Sequence, residues 1–180
     1  MRRLIAGFAT SIDGFIQGPD GEIDWIIFDK EQMNELQKQW SETDAMFHGR
    51  KMYEELIKMQ QGSGKKKSNP FAHMKHYVFS KTLNSVQEGF TLDKGDLEKE
   101  VIKIKSEPGK NIVLFGGASL LSSLLSFKLI DELVLAICPL ILGKGKPFFT
   151  GIENKINFTL KESKTFDSGL VNLTYILNEK

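Results

Sequence analysis

Short apolar runs recur along the chain and are separated by segments with helical periodicity. Each run is bounded by polar residues or glycine, which is typical of a buried strand in an α/β protein. The runs predict strands at residues 4–10, 44–48, 75–80, 111–115 and 132–138, and residues 85–90 are a candidate for one more.

Four segments place apolar residues at the spacing of one helical face. They begin at Asp29, at residue 49, after Asp96 and at residue 118, and both aspartates can cap the helix that follows them. The residues expected to face the core are Met33, Leu36 and Trp40 in the first helix, Met52, Leu56 and Met59 in the second, Leu97, Val101 and Ile104 in the third, and Leu120, Leu121, Leu124 and Leu125 in the fourth.

The end of the chain carries strand patterns only. Residues 158–166 and 171–177 alternate between apolar and polar positions around the turn Asp167-Ser168-Gly169, which predicts a hairpin. Strands that alternate with helices form a mostly parallel sheet. The sequence therefore predicts an α/β fold, with a mostly parallel central sheet flanked by helices and a C-terminal antiparallel hairpin. Because no linker or repeat divides it, residues 1–180 predict a single domain.

Composition narrows the class of protein. Hydrophobic residues make up 41% and charged residues 26%, a balance typical of globular domains. The formal net charge of +1 gives no global field, so neither nucleic acid nor a membrane is expected as a partner. No apolar run approaches the roughly 20 residues of a membrane helix, and the first run is too short for a signal peptide. The chain has a single cysteine, Cys138, which is expected in the core and cannot form a disulfide within the chain. The lack of a membrane helix, a signal peptide and a disulfide predicts a cytoplasmic protein.

Two loops differ in what they suggest. The loop at residues 11–28 contains Gly14, Gly18, Pro19 and Gly21, and long ordered loops in compact domains are often functional. The segment at residues 60–69 is polar and contains three consecutive lysines. We expect it to be a solvated surface loop.

The strand at residues 111–115 runs directly into Gly116-Gly117, and a helix follows at once. Such a turn leaves the first amide groups of the helix without intrahelical acceptors, at the end where the helix dipole favours anions. Glycine also lets a phosphate approach the backbone closely. The alternative is a tight strand-to-helix turn that binds nothing, and the turn alone leaves both possibilities open.

Two other strand ends carry groups that suit a phosphate. Gly49-Arg50-Lys51 follows the second strand, and Ser80-Lys81-Thr82 follows the third. Since ligands of open α/β sheets gather at the carboxyl ends of strands, the three ends together predict a nucleotide-binding site. The pattern differs from the Rossmann fingerprint, because the glycine pair comes late in the chain.

Five segments together resemble the dihydrofolate reductase-like family, and within it the C-terminal reductase domain of the bifunctional riboflavin-biosynthesis deaminase-reductase. They are Ser11-Ile12-Asp13-Gly14-Phe15-Ile16, His48-Gly49-Arg50-Lys51-Met52-Tyr53-Glu54, Val78-Phe79-Ser80-Lys81-Thr82, Leu114-Phe115-Gly116-Gly117-Ala118-Ser119-Leu120 and Pro139-Leu140-Ile141-Leu142-Gly143-Lys144-Gly145. The resemblance extends over nearly the whole chain.

The resemblance implies an NADPH-dependent reductase that acts on a small molecule and forms a homodimer. It implies that the 2′-phosphate side of NADPH is held by Gly49, Arg50, Lys51, Ser80, Lys81 and Thr82. The diphosphate would be held by Gly116, Gly117, Ala118, Ser119 and Leu120, and the nicotinamide would lie beside Ser11, Gly14 and Ile16. Trp25 would lie at the substrate.

The chain departs from the family pattern at two points. Met52 stands where many relatives have threonine, two residues after the arginine, and a thioether cannot replace a hydroxyl donor to the diphosphate. The His-x-Glu and Pro-Cys-x-x-Cys motifs of a zinc deaminase are absent from the sequence. We therefore expect a stand-alone reductase domain.

Two aspartates are candidates for the proton donor. Asp29, shortly after Trp25, is either a catalytic acid or a helix cap, and Asp13 is either an acid beside the nicotinamide or a turn residue. His73 and His76 lack a third ligand nearby, so no metal site is expected. His48 is expected to pack or to contact the cofactor.

The leading hypothesis is an NADPH-dependent reductase of a small heterocyclic or carbonyl compound, resembling 5-amino-6-(5-phosphoribosylamino)uracil reductase. Lys144 and Lys146 are candidates for binding a substrate phosphate. The alternatives are a non-enzymatic dinucleotide-binding or dimerisation module that kept the fold and, as a weaker variant, a dihydrofolate reductase.

Overall fold

The computed structural model describes residues 1–62 and 71–178, with side chains of the helix ending at residue 62 described through residue 59. The segment predicted as a surface loop lies largely outside these residues. The helices are α1 Lys30–Ser41, α2 Arg50–Gly62, α3 Leu97–Ser106 and α4 Ala118–Ser126. The strands are β1 Leu4–Ser11, β2 Phe15–Gln17, β3 Thr43–Gly49, β4 Lys75–Phe79, β5 Phe90–Asp93, β6 Asn111–Leu114, β7 Glu132–Cys138, β8 Lys146–Pro147, β9 Phe158–Thr165 and β10 Val171–Leu177.

Eight of these strands form one sheet in the order β5-β4-β3-β6-β1-β7-β10-β9. The strands from β5 to β7 in this order are parallel, whereas β10 runs antiparallel to both β7 and β9. The predicted α/β class, the mostly parallel sheet and the C-terminal hairpin are confirmed. Strands β2 and β8 form a separate antiparallel pair.

The direction of each crossover decides which face its helix covers. The connections from β1 to β3 and from β3 to β4 step one way along the sheet, and those from β5 to β6 and from β6 to β7 step the other way. Because parallel crossovers are right-handed, α1 and α2 lie on one face and α3 and α4 on the other. The main core lies under α3 and α4, where Val101 and Leu124 are fully buried with Phe47 and Leu114.

The caps predicted from the sequence are confirmed for two helices. The Asp29 carboxylate accepts hydrogen bonds from the amides of Glu31 and Gln32, and the Asp96 carboxylate accepts one from the amide of Lys99. Cys138 is fully buried with a free thiol, as expected of a small core residue.

Two details of the predicted elements are wrong. The strand expected at residues 85–90 is instead β5, because residues before it form a turn in which the Phe90 amide donates to the Gln87 carbonyl. Met59 was expected in the core but is 61% exposed. The inward face of α2 is set by Tyr53, which packs edge-on against Phe90. Met59 lies six positions after Tyr53, where the helix has turned by about 240°, so its side chain points away from this face.

None of the helices within residues 1–62 and 71–178 has both the length and the apolar composition needed to cross a bilayer.

Candidate functional site

A cleft with a volume of about 420 Å³ lies at the carboxyl ends of β3, β4 and β6. It collects three separate parts of the sequence because parallel strands end at the same edge of the sheet. The predicted binding residues that line it are Gly49, Arg50, Lys51, Ser80, Lys81, Gly117, Ala118, Ser119 and Leu120. The convergence expected of the three strand ends is therefore present.

Arg50 joins two of these strand ends. Its Nε donates to Glu54 one turn later on α2, at 2.7 Å, and its Nη1 donates to the Thr82 hydroxyl at 2.8 Å. Thr82 follows β4, so the guanidinium bridges from the end of β3 to the end of β4. This bridge fixes the planar donor group that suits a phosphate.

The segment after β4 is also held by its own hydrogen bonds. The Ser80 hydroxyl oxygen accepts from the amides of Thr82 and Leu83 at 3.2 and 3.1 Å. The Lys81 ammonium donates to the carbonyls of Lys94, at 2.6 Å, and Gly95. Hydrogen bonds within the protein thus hold the Ser80 hydroxyl and the Lys81 ammonium in place without a ligand.

The glycine turn forms the third wall. Gly116 and Gly117 have φ values of +131° and +100°, a region that side-chain-bearing residues rarely adopt. Gly117 is the N-cap of α4 and has no side chain to accept from the first amides of the helix. These amides therefore offer donors to an anion at the positive end of the helix dipole.

Met52 lies directly beside this turn. A Cβ placed on Gly116 would be 2.8 Å from the Met52 Cε and 3.7 Å from its Sδ. Met52, which stands where many relatives have threonine, therefore packs on the glycine turn, where its thioether offers no hydrogen-bond donor to an anion.

The charged side chains that line the cleft are mostly cationic. Arg50, Lys51, Lys81 and Lys146 line it together with one carboxylate, Asp93. Asp93 accepts a hydrogen bond from the Gly95 amide at 2.8 Å. A concave surface with this balance attracts anions such as phosphates.

The residues predicted beside the nicotinamide lie in the neighbouring loop and do not line this cleft. Ser11 is buried at the end of β1, where its hydroxyl donates to Asp13 at 2.7 Å and accepts from the Phe15 amide at 2.9 Å. Gly14 follows with a φ of +82°, and Ile16 in β2 packs against the main core.

Asp13 connects this loop to a distant segment. Its carboxylate accepts from the amides of Leu142 and Gly143, at 3.1 and 2.7 Å. The hydrogen bond from Ser11, and then those from the two amides, lower the pKa of Asp13 because they favour the charged form. A carboxylate held in this way is a poor proton donor near neutral pH.

Asp29, the second candidate acid, is engaged in capping α1. The Ser168 hydroxyl and then the Gln32 amide lower its pKa by hydrogen bonding to the carboxylate. The structure thus shows the capping role that the sequence left as one of two possibilities.

A second, apolar cavity of about 180 Å³ lies between α1 and the sheet. Ile26, Ile27 and Phe28 line it, whereas Trp25 packs against the small cluster around Cys138 and Phe166. The polar groups in its lining are the side-chain amides of Gln32, Gln39 and Asn172 and the indole N–H of Trp40. The side-chain Nε2 of Gln32 donates to the side-chain Oδ1 of Asn172 at 3.3 Å, a pair that periodicity does not predict.

His48 and His76 form a buried pair that sequence reasoning also missed. Nε2 of His48 lies 3.0 Å from Nδ1 of His76, whose Nε2 lies 3.0 Å from the Phe71 carbonyl oxygen. Burial lowers the pKa of His48 to about 3. The sequence analysis paired His76 with His73, its neighbour three residues earlier, whereas the structure pairs it with His48. Among the described residues, no group of three or more His, Cys, Asp and Glu side chains is arranged to hold a metal ion.

A larger groove of about 540 Å³ beside α4 has a mainly apolar lining that includes Leu133, Phe149 and Tyr175. Its polar lining side chains, Asn154 and Lys155, are few beside those of the cationic cleft. The chemistry predicted from the sequence therefore does not lie in this apolar groove.

Solved structures share this fold. A protein from Shewanella sp. PV-4, provisionally named a riboflavin biosynthesis protein, has a TM-score of 0.80 at 23% identity over 98% of this chain and 99% of that one. The diaminohydroxyphosphoribosylaminopyrimidine deaminase/5-amino-6-(5-phosphoribosylamino)uracil reductase of Thermotoga maritima has a TM-score of 0.72 at 14% identity, over 98% of this chain and 57% of that one. Dihydrofolate reductase from Enterococcus faecalis, solved with NADP(H), has a TM-score of 0.66 at 17% identity, over 98% and 97%. These similarities establish a dihydrofolate reductase-like fold.

Sequence comparison is more specific. The uncharacterized protein YyaP of Bacillus subtilis is 35% identical over 187 aligned positions, which cover 98% of this chain and 96% of that protein. Residues 2–172 match the model of the RibD C-terminal domain. The chain therefore belongs to the RibD C-terminal domain family.

Proposed function

We propose that this protein is an NADPH-dependent reductase of a small heterocyclic or carbonyl compound. Membership of the RibD C-terminal domain family supports a reductase-type function in general. The observation that carries the proposal further is the convergence of Arg50, Lys81 and the uncapped start of α4 on one cleft. A nucleotide with several phosphates is the ligand that suits this set of donors.

The chain's own groups fit this cofactor. Arg50 and Lys51 together with Ser80, Lys81 and Thr82 offer cationic and hydroxyl donors for the 2′-phosphate. Gly116, Gly117, Ala118, Ser119 and Leu120 offer backbone amides for the diphosphate. NADPH, when bound, supplies a hydride to the substrate. Ser11, Gly14 and Ile16 would orient the nicotinamide end at the neighbouring loop.

The apolar cavity under α1 is our candidate for the substrate. Its mixture of apolar walls and amide groups suits the faces and edges of a small heterocycle, with Gln32 and Asn172 as hydrogen-bonding partners. Trp25 does not line the cavity, so it would affect the substrate only by positioning the adjoining residues Ile26, Ile27 and Phe28, which do. In this proposal Asp13 and Asp29 position a loop and a helix, because their lowered pKa values disfavour proton donation at neutral pH.

The substrate of the uracil reductase named above is the pathway analogue that we propose to test first. The name of the Thermotoga maritima neighbour includes this reductase activity, and the present chain matches 57% of that neighbour. A dihydrofolate reductase activity is a weaker variant of the same proposal, favoured by the similarity to the Enterococcus faecalis enzyme in fold.

The direct experiment is a titration of the purified chain with NADPH and, separately, with NADH, followed by cofactor fluorescence. We expect binding of NADPH with a clear preference over NADH. If neither cofactor binds, the reductase proposal fails. Oxidation of bound NADPH is then measured by absorbance across a panel of pyrimidines, pteridines and carbonyl compounds.

The second candidate function is a dinucleotide-binding module without turnover. Met52 favours it, since this side chain packs on Gly116 and provides no donor there. Binding of NADPH without oxidation by any compound of the panel would support this alternative. The homodimer and the cytoplasmic location implied at the outset stay predictions, which size-exclusion chromatography with light scattering and cell fractionation test.

A further inference from the structure

Lys146 lines the cationic cleft but comes from none of the three strand ends that form it. It belongs to β8, the short strand that pairs with β2 of the first loop. Within the part of the chain that the structure describes, its ammonium has no hydrogen-bond or ion-pair partner, unlike the Arg50 guanidinium and the Lys81 ammonium. Lys146 is thus a fourth cation of the cleft, delivered by a separate segment.

The segment that carries Lys146 is attached to the first loop at several points. Gln17 is the register partner of Lys146, and the Phe148 amide donates to the Gly14 carbonyl at 2.8 Å. On the other side of Lys146, the Asp13 carboxylate accepts from the amides of Leu142 and Gly143. Asp13 therefore ties the start of this segment to the loop after β1.

These attachments matter because Lys146 is exposed and carries a long, flexible side chain. An ammonium in solvent gains little from one phosphate contact unless its backbone is already placed. The carboxylate of Asp13 and the β2–β8 pairing supply that placement. Lys144, two residues earlier, is also exposed but does not line the cleft, so the same segment contains a natural comparison.

We propose that Lys146 is a phosphate-binding residue of the nucleotide site, and that Asp13 is the positioning residue that holds its segment in place. This inference rests on the proposed function and deepens it. It assigns Lys146 to the phosphates of the cofactor, and it gives Asp13 a role in binding through Lys146 rather than in proton transfer.

The first test compares Lys146→Met with Lys144→Met, two variants that make the same charge change in the same segment. Loss of a charge-assisted contact to phosphate should raise the Kd of NADPH about 5- to 10-fold for Lys146→Met, whereas Lys144→Met should change it less than about twofold through screened, long-range effects. Lys146→Arg should retain binding. The dependence of Kd on salt concentration should weaken in Lys146→Met more than in Lys144→Met.

The second test couples Asp13 to Lys146. Asp13→Asn keeps the size of the side chain but removes the charge and one acceptor, and thermal unfolding verifies that the variant is folded. It should raise the Kd of NADPH in the wild-type and Lys144→Met backgrounds, and it should have little further effect in the Lys146→Met background.

The outcomes separate the two proposals. A chain that binds neither NADPH nor NADH overturns the proposed function and this inference with it. A chain that binds NADPH with the same Kd in Lys144→Met and Lys146→Met overturns only the role of Lys146. An equal effect of Asp13→Asn in every background overturns only the positioning role of Asp13.

Discussion

Nε2 of His48 lies 3.0 Å from Nδ1 of His76, and the planes of the two rings are nearly parallel, at an angle of 14°. The Phe71 carbonyl can only accept, so it assigns the proton of His76 to Nε2 and leaves Nδ1 as the acceptor for His48. This arrangement needs a neutral His76, and burial keeps His48 neutral as well by lowering its pKa. A proton added to either one would place a charge in a site where His48 is fully buried.

The pair predicts a loss of stability in mild acid. Burial lowers the pKa of both histidines, to about 3 for His48, so below the usual histidine pKa the unfolded chain takes up protons that the folded chain does not. Stability is therefore complete above about pH 6.5 and falls as the pH drops toward the folded value. Between about pH 7.5 and pH 5.5 the free energy of unfolding should fall by about 1–2 kcal/mol in urea titrations.

The matched variants are His48→Asn and His73→Gln. The first should flatten the pH dependence, and the second, at an exposed position outside the pair, should leave it in place. Equal stability of the wild-type protein at the two pH values would contradict a neutral buried pair.

Arg50 provides a prediction for cofactor choice. Arg50→Met removes the guanidinium that bridges Glu54 and Thr82, so the Kd of NADPH should rise about tenfold or more, while the Kd of NADH should change little. Lys58→Met is the control, because Lys58 lies on the same helix in an exposed pair with Glu55 and does not line the cleft. Equal weakening of NADPH and NADH by Arg50→Met would rule out recognition of the 2′-phosphate by this residue.

Variants of Asp29 can distinguish its role as the N-cap of α1 from a role as a proton donor. Asparagine is an equally good N-cap, so Asp29→Asn should keep the thermal stability within a few tenths of a kcal/mol, and Asp29→Ala should lower it by about 1 kcal/mol. If the carboxylate only caps α1, Asp29→Asn should also keep the turnover rate on an identified substrate. A loss of turnover without a loss of stability would restore Asp29 as a proton donor.

Gly117 tests the importance of the turn. Gly117→Ala forces a side chain into a φ of +100°, which should lower the free energy of unfolding by about 1–2 kcal/mol and weaken NADPH binding as the turn shifts. Gly7→Ala is the control, since a Cβ at Gly7 would meet no atom within 4 Å. Calorimetry and the fluorescence titration measure the two effects, and similar losses for both variants would contradict a special role for the turn.

The sequence predicts most of the cleft because one geometric rule connects its parts. Parallel strands end at a common edge, so Arg50, Ser80 and Gly117 could be placed together without knowing any side-chain position. Periodicity was sufficient for this purpose, since it needs only the order and the direction of the strands.

The rest depends on register and on long-range pairing, which periodicity does not contain. His48 and His76 meet because Met46 is the partner of His76 and His48 the partner of Val78, which makes the histidines diagonal neighbours on one face. Lys146 reaches the cleft through a two-residue strand, too short to leave a pattern. The error at Met59 has the same origin, since Tyr53 decides which side of α2 faces inward.

The strand order also has a consequence for how the chain is made. Strand β1 is synthesised long before its neighbours in the sheet, β6 and β7, with Leu4 paired to Ile112 and Ile5 to Glu132. The apolar side chains of β1 therefore stay unpaired until β7, Glu132–Cys138, has left the ribosome. Pairings between strands so distant in sequence slow folding and leave apolar, aggregation-prone segments exposed. We expect this chain to depend on chaperones until β7 is made, and the cationic cleft, which includes Lys146, to be completed only after that.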